Sequence, residues 1–172
     1  MTTIEVLVGN PQPGSRTRLV AEEVATQLAA RSGSRIASTI DLADVADQLF
    51  VFPSADLDAL LARVAAADLL VVASPTYKAA YTGLLKSFLD RYPTGGLSDV
   101  TAVPLLTIGA PTHALAVEVT LRPLLVELGA SVPTRGIAFP AGETDRRSQV
   151  VSTWLDTEWP RLAPVLRETI DG

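Results

Sequence analysis

The chain of 172 residues contains no cysteine, which excludes disulfides, thiolate nucleophiles, Cys-ligated zinc and iron–sulfur clusters together. Its single histidine, His113, excludes a His-rich metal site. Basic residues are also in deficit: 14 Lys and Arg face 19 Asp and Glu, for a net charge of −5. That is the wrong sign for a nucleic-acid or anionic-membrane surface. Long apolar runs are missing. A bilayer span needs about 20 apolar residues, and the best run, 65–73, is short and interrupted by Asp68. The opening residues Met1-Thr2-Thr3-Ile4-Glu5 lack the basic-then-apolar pattern of a signal peptide. A cytoplasmic location, away from membranes, is expected. What is present is a globular composition, 48% hydrophobic and 19% charged, with mean hydropathy +0.30, which excludes a disordered chain. The length predicts a single domain over 1–172.

Apolar β-rich runs alternate with segments at helical spacing, the mark of βαβ units. Strands are expected over 4–8, 35–40, 69–73, 101–108 and 131–138, and helices over 16–31, 56–66, 83–92, 113–128 and 145–170. Leu19, Val20, Val24 and Leu28 form an apolar stripe in the first helix, and Leu57, Leu60, Leu61 and Val64 in the second. In the third, Leu84, Leu85, Phe88, Leu89 and Tyr92 face inward. The unbroken run at 69–73 reads as a central parallel strand covered on both sides. Gly129 is placed to cap the fourth helix. Pro160 and Pro164 are expected to bend or break the last one. Five strands, each followed by a helix, imply a doubly wound three-layer α/β sheet. Ligands then bind beyond the carboxyl ends of the strands, so the loops after the first, third and fourth are the places to look.

The loop after the first strand, Gly9-Asn10-Pro11-Gln12-Pro13-Gly14-Ser15-Arg16-Thr17-Arg18, opens a helix. Unpaired N–H groups and the positive dipole end make a helix N-terminus a ready anion site. Ser15 and Thr17 add hydroxyl donors, and Arg16 a forked guanidinium matched to phosphate. A Walker A loop is excluded, because Gly14 is followed by Ser15-Arg16. The dinucleotide fingerprint is excluded by glycines five apart. The plainer alternative makes Ser15 a helix cap and leaves Arg16 in solvent. Asp41, at the end of the second strand, reads as a helix N-cap rather than a ribose-binding acid.

The loop after the third strand is small-residue-rich and carries Tyr77 and Tyr81, and Lys86 and Asp90 beyond it read as a solvated helical ion pair. The run SPTYKAAYTGLLKSFLD resembles the signature of the NAD(P)H-dependent FMN reductases of the flavodoxin-like superfamily. Within that family it is most similar to the reductase components of two-component sulfonate monooxygenase systems. GNPQPGSRT is similar to the family's phosphate loop, and HALAVEVTLRPLLVELGA resembles the helix after its fourth strand. Together the three segments fall between Ile4 and Phe139.

The resemblance implies a flavodoxin-like three-layer sandwich, with a five-stranded parallel sheet in the order 2-1-3-4-5 and helices on both faces. It implies transfer of hydride from NADPH or NADH to FMN, with reduced flavin supplied to a partner monooxygenase, and a homodimer or homotetramer built partly on the helix after Tyr81. Ser15, Arg16 and Thr17 would hold the FMN phosphate, with Asn10 and Gln12 lining the same loop. Pro75, Thr76, Tyr77 and Lys78 would contact the ribityl chain and the isoalloxazine edge. Gly109 and Ala110 would form the third loop, where the family often has two glycines. His113 would lie beside the flavin, as a hydrogen-bonding or purely structural residue. Some sulfonate-system members carry an inserted tyrosine in the helix after the fourth strand, which marks releasable flavin; Val119 stands at the matching position here. The cofactors supply the reactivity, so no catalytic side chain and no metal is expected. Two alternatives share the fold: a quinone, azo-dye or chromate reductase that keeps its FMN, and a flavodoxin-like electron carrier.

Overall fold

A computed structural model of the chain describes residues 2–171, with side chains to Leu166. The strands are β1 (Thr3–Val8), β2 (Arg35–Asp41), β3 (Leu69–Pro75), β4 (Thr101–Ile108) and β5 (Ile137–Pro140). They pair in parallel in the order β2-β1-β3-β4-β5, so the expected topology is present. The helices are α1 (Arg16–Ser32), α2 (Ala55–Ala65), α3 (Gly83–Leu89), α4 (Arg122–Glu127) and α5 (Arg147–Asp171). Among the described residues no helix is long and apolar enough to cross a membrane.

Successive strand residues point to opposite faces, and the core divides accordingly. Ile4, Val6, Val8, Val71 and Phe139 pack under α1 and α5, whereas Leu7, Leu70, Val72 and Leu106 pack under α2, α3 and α4. All seven residues of β3 and all eight of β4 are buried, as strands covered on both faces require.

Local sterics and capping account for the departures from the expected elements. The buried stripe of α1 runs through Thr17, Val20, Ala21, Val24, Ala25 and Leu28. Leu19 is one step off that stripe and 43% exposed. The third helix stops at Leu89 rather than 92: Arg91 N–H and Tyr92 N–H tighten onto carbonyls three residues back, and Pro93 follows. Leu85, Phe88 and Leu89 are fully buried in their own core, and Leu84 and Tyr92 pack against it.

In place of one helix over 113–128 there are three pieces: a 3₁₀ turn at Pro111–His113, a wide π turn at Val117–Leu121, and α4. Pro123 has no N–H for the Val119 carbonyl and its ring crowds it. The ladder widens there, so that Arg122 N–H reaches Val117 O. Gly129 closes α4 with φ +91° and its N–H on Val126 O.

The expected strand over 131–138 is displaced to Ile137–Pro140; only Ser131 bridges β4, opposite Thr101. Side chains of the π-turn region replace the missing ladder. Arg122 donates to the carbonyls of Val132 (2.7 Å) and Thr134, while Glu118 accepts from Gly136 N–H at 2.6 Å and pairs with Arg122. Burial opposes ionisation of Glu118, yet the Arg122 guanidinium and the Gly136 N–H together hold its carboxyl below the ordinary range. α5 runs unbroken through Pro160 and Pro164. Both prolines are exposed, so the carbonyls that they leave unpaired, at Asp156 and Pro160, open to water.

The tightest constraint joins β1 to α3. A Cβ built on Gly9 would lie 2.5 Å from Leu85 Cβ, a contact that no flexible side-chain end can relieve. Gly9→Ala is expected to lower stability by about 1–3 kcal/mol. Gly142→Ala, where nothing lies within 4 Å, is expected to be near neutral. Urea denaturation of the two variants checks the difference.

Candidate functional site

Where β1, β3 and β4 end, three loops leave the sheet, and short polar side chains hold them together. The loop after β1 turns at Asn10, which is buried: its Oδ1 accepts Gln12 N–H at 2.9 Å and its Nδ2 donates to Thr17 Oγ1 at 3.1 Å. Thr17 Oγ1 in turn lies 3.0 Å from Thr107 Oγ1, near the end of β4. Ser15 is the N-cap of α1, its Oγ accepting Arg18 N–H at 3.2 Å. Gly14 turns with φ +61°, and its N–H donates to the buried Asp41 carboxylate at 3.2 Å. Asp41 also caps the 3₁₀ segment Leu42–Gln48 and faces Arg18 Nη1 at 3.6 Å. The N-cap reading of Asp41 is thereby met, and the residue also tethers the glycine of the first loop.

The loop after β3 is fastened by Thr82. Its hydroxyl donates to Gly9 O at 2.5 Å and accepts Leu85 N–H, and its own N–H donates to Ser74 Oγ at 3.0 Å. Thr76 N–H donates to Thr107 O. Between these anchors Tyr77 and Ala80 exchange backbone bonds of 2.8 and 3.1 Å around a two-residue turn. Both turn residues, Lys78 (φ 51°) and Ala79 (φ 65°), sit in the left-handed region without being glycine, at a cost of about 1–2 kcal/mol each.

These loops enclose a cavity of about 240 Å³. Asn10, Gln12, Ser15, Arg16 and Thr17 line it from one side, and Pro75, Thr76, Tyr77 and Gly109 from the others. Nine of the sequence-expected residues therefore meet in one place. Three do not line it. Lys78 is exposed at the tip of its turn, and His113, half-buried, ends the 3₁₀ turn. Ala110 lines an adjoining cavity of about 570 Å³ with Ala114, Pro140 and Glu143. Thr107 and Ala141 also line the main cavity. The sequence did carry a signal for Thr107, a lone hydroxyl near the end of a buried apolar strand; Ala141 carried none.

The site is polar and electropositive on the loop-one side. Arg16 is exposed, its Nη1 3.4 Å from Ala141 O, whereas Arg18 is taken up by Glu22 and Asp41. Thr76 Oγ1 is buried in the structure without any hydrogen-bond partner. Lys86 and Asp90 form the expected exposed ion pair, away from the cavity.

The model of the NADPH-dependent FMN reductase family matches residues 2–144. An FMN reductase (NADPH) of Escherichia coli strain K12 is 41% identical over 86 residues, which is 50% of this chain and 45% of that protein. The chain thus spans less than half the length of that relative. NADH-dependent FMN reductase SfnF of Pseudomonas putida is 33% identical over 126 residues, covering 70% of this chain and 68% of that one. Among solved structures, the apo form of an NADH:FMN oxidoreductase (EMOB) superposes with TM-score 0.79 and 29% identity, over 92% of this chain and 90% of that one.

Proposed function

The chain belongs to the NADPH-dependent FMN reductase family, and from that premise we propose that it reduces FMN with NADH or NADPH at the cavity between the three loops. The observation that carries this reading is the composition of the cavity wall. Along one side run the N-terminus of α1, the Ser15 hydroxyl and Arg16; along the other lie Thr76, Tyr77 and the side-chain-free Gly109. FMN divides in the same way, into a phosphate, a hydroxylated chain and a flat ring with polar edges.

The residues fit that group. The helix N-terminus and the Arg16 fork favour phosphate. Ser15 Oγ accepts Arg18 N–H and keeps its own proton to donate. Thr17 is held by Asn10 and Thr107, so its hydroxyl is pre-positioned. A buried hydroxyl without a partner costs about 1–3 kcal/mol, and the one on Thr76 is satisfied once a ligand polar group reaches it. When bound together, the nicotinamide and the flavin supply the hydride chemistry themselves. This chain's part is to bind and align the two rings and to leave one flavin face open.

Reduced FMN then leaves for a partner monooxygenase. Support for release comes from the lack of tryptophan on the cavity wall, where Tyr77 is the single aromatic side chain, since stacking on such rings is a main source of tight flat-ring binding. Trp154 bonds Arg135 O at the far, amino end of β5, and Trp159 lies under Arg31, 4.9 Å from its guanidinium. One observation favours the second reading, a reductase that keeps its FMN for quinone, azo or chromate substrates. The π turn at Val117–Leu121 carries Val119, 66% exposed, at the position matching the inserted tyrosine of some sulfonate-system members.

The chain also assembles as a homo-oligomer. The inward helix residues 84, 85, 88, 89 and 92 are used by its own core. Support comes instead from apolar side chains elsewhere, with Phe50 79%, Phe52 70% and Leu115 71% exposed.

Arg16→Ala is expected to weaken FMN about tenfold, near 1.5 kcal/mol, and to spare riboflavin, which lacks the phosphate. Fluorescence titration with both flavins checks this, and equal losses reject the phosphate assignment. Purified protein is expected to be colourless and to bind FMN at about micromolar strength, roughly 8 kcal/mol. A yellow protein that keeps its flavin through long dialysis favours the retained-FMN reading. Light scattering is expected to report a multiple of the 18.1 kDa chain, and a monomer at micromolar concentration rejects the oligomer.

A further inference from the structure

Among the residues whose side chains are described, only three cationic side chains take no hydrogen bond or ion pair: Arg35, Lys78 and Arg135. Arg35 begins β2 and Arg135 precedes β5, so both lie at the amino end of the sheet. Lys78 is the one of the three at the carboxyl end, where the cavity is. It follows Tyr77, which lines the cavity, yet it does not line the cavity itself.

Its backbone sets it apart as well. A two-residue turn with both φ values positive favours Asn-Gly, and here Lys78 and Ala79 occupy it at 51° and 65°. Anchors on both sides impose the conformation: Thr76 N–H on Thr107 O before the turn, and Thr82 on Ser74 and Gly9 after it. Strain of this kind persists where the surrounding structure over-determines it, and it gathers at ligand clamps and active sites.

The FMN phosphate is served by Arg16 and α1, on the other loop. The reaction brings a second phosphorylated molecule to a chain of net charge −5, and a local cation is needed to attract it. An ammonium on a flexible stem suits a ligand that must arrive and leave. We propose that Lys78, held out on its strained turn, binds a phosphate of the incoming pyridine nucleotide. The inference rests on the reductase reading above.

Equilibrium binding of NAD⁺ and NADP⁺ to the FMN-loaded protein tests it, with FMN affinity and KM measured beside it. Lys78→Gln is expected to raise the Kd for NADP⁺, and the KM for NADPH, about five- to tenfold at low salt, and to flatten the salt dependence of binding. FMN affinity is expected to be unchanged. A parallel loss with NAD⁺ and NADH assigns the contact to the diphosphate, and a loss with the NADP pair alone assigns it to the 2′-phosphate. Ala79→Gly keeps the lysine and relieves the turn, so it is expected to raise stability and to preserve nucleotide affinity. Unchanged nucleotide affinity in Lys78→Gln overturns the proposal, as does a loss confined to FMN or a wild-type protein that binds neither nucleotide. A wild-type protein that binds nucleotide but reduces no FMN overturns the reductase reading and leaves the binding result standing.

Discussion

The Thr82 hydroxyl fastens the carboxyl end of the sheet. One oxygen donates to the Gly9 carbonyl, where β1 ends, and accepts the Leu85 N–H, where α3 begins. The same residue's N–H meets Ser74 at the end of β3. Two loops and a helix are thus joined through a single buried threonine. The joint closes only because Gly9 lacks a Cβ and lets Leu85 come up against the backbone. In a dry setting such coupled hydrogen bonds reinforce one another, and losing one member strands the rest.

A second chain of small polar groups, Asn10, Thr17 and Thr107, performs the same service between β1 and β4. β3 lies between these two strands and neighbouring strands are about 4.8 Å apart, so the link runs as a relay through Thr17 on α1, and both chains consist of hydroxyls and one amide. The outcome is a polar floor beneath a cavity where Arg16, held by one long bond to Ala141 O, and the unpartnered Thr76 hydroxyl point to chemistry that the fold does not itself consume.

Much of this was legible in the sequence. β4 spans the expected 101–108 because its apolar run is bounded at Gly109; the doubly wound α/β class followed from the alternation of strands and helices, and the strand order from the family resemblance. Of the nine cavity residues, Ser15, Arg16 and Thr17 were legible as an anion site at a helix start, and the other six through the resemblance of their loops to those of the reductase family. What was not legible depended on contacts distant in sequence. The strand expected over 131–138 has the right residue types, but Arg122 and Glu118 take its backbone groups away from the sheet. Pro123 hides in a helical pattern and opens a π turn. The second role of Asp41, 27 residues from Gly14, has no local signature.

The displacement of β5 has a consequence for the sheet's outer margin. β4 offers eight residues, and β5 covers only Leu105 to Ile108. Along the rest, Ser131 bonds Val100 and Ala102, and the chain then detours under the Arg122 clamp. The outermost strand on this side is therefore four residues long and ends in proline. A margin so short, and without a donor at its last position, offers a foreign strand little to pair with. The same two side chains that bend the backbone away from regular structure thus protect an apolar, acidic chain from growing edge to edge into aggregates.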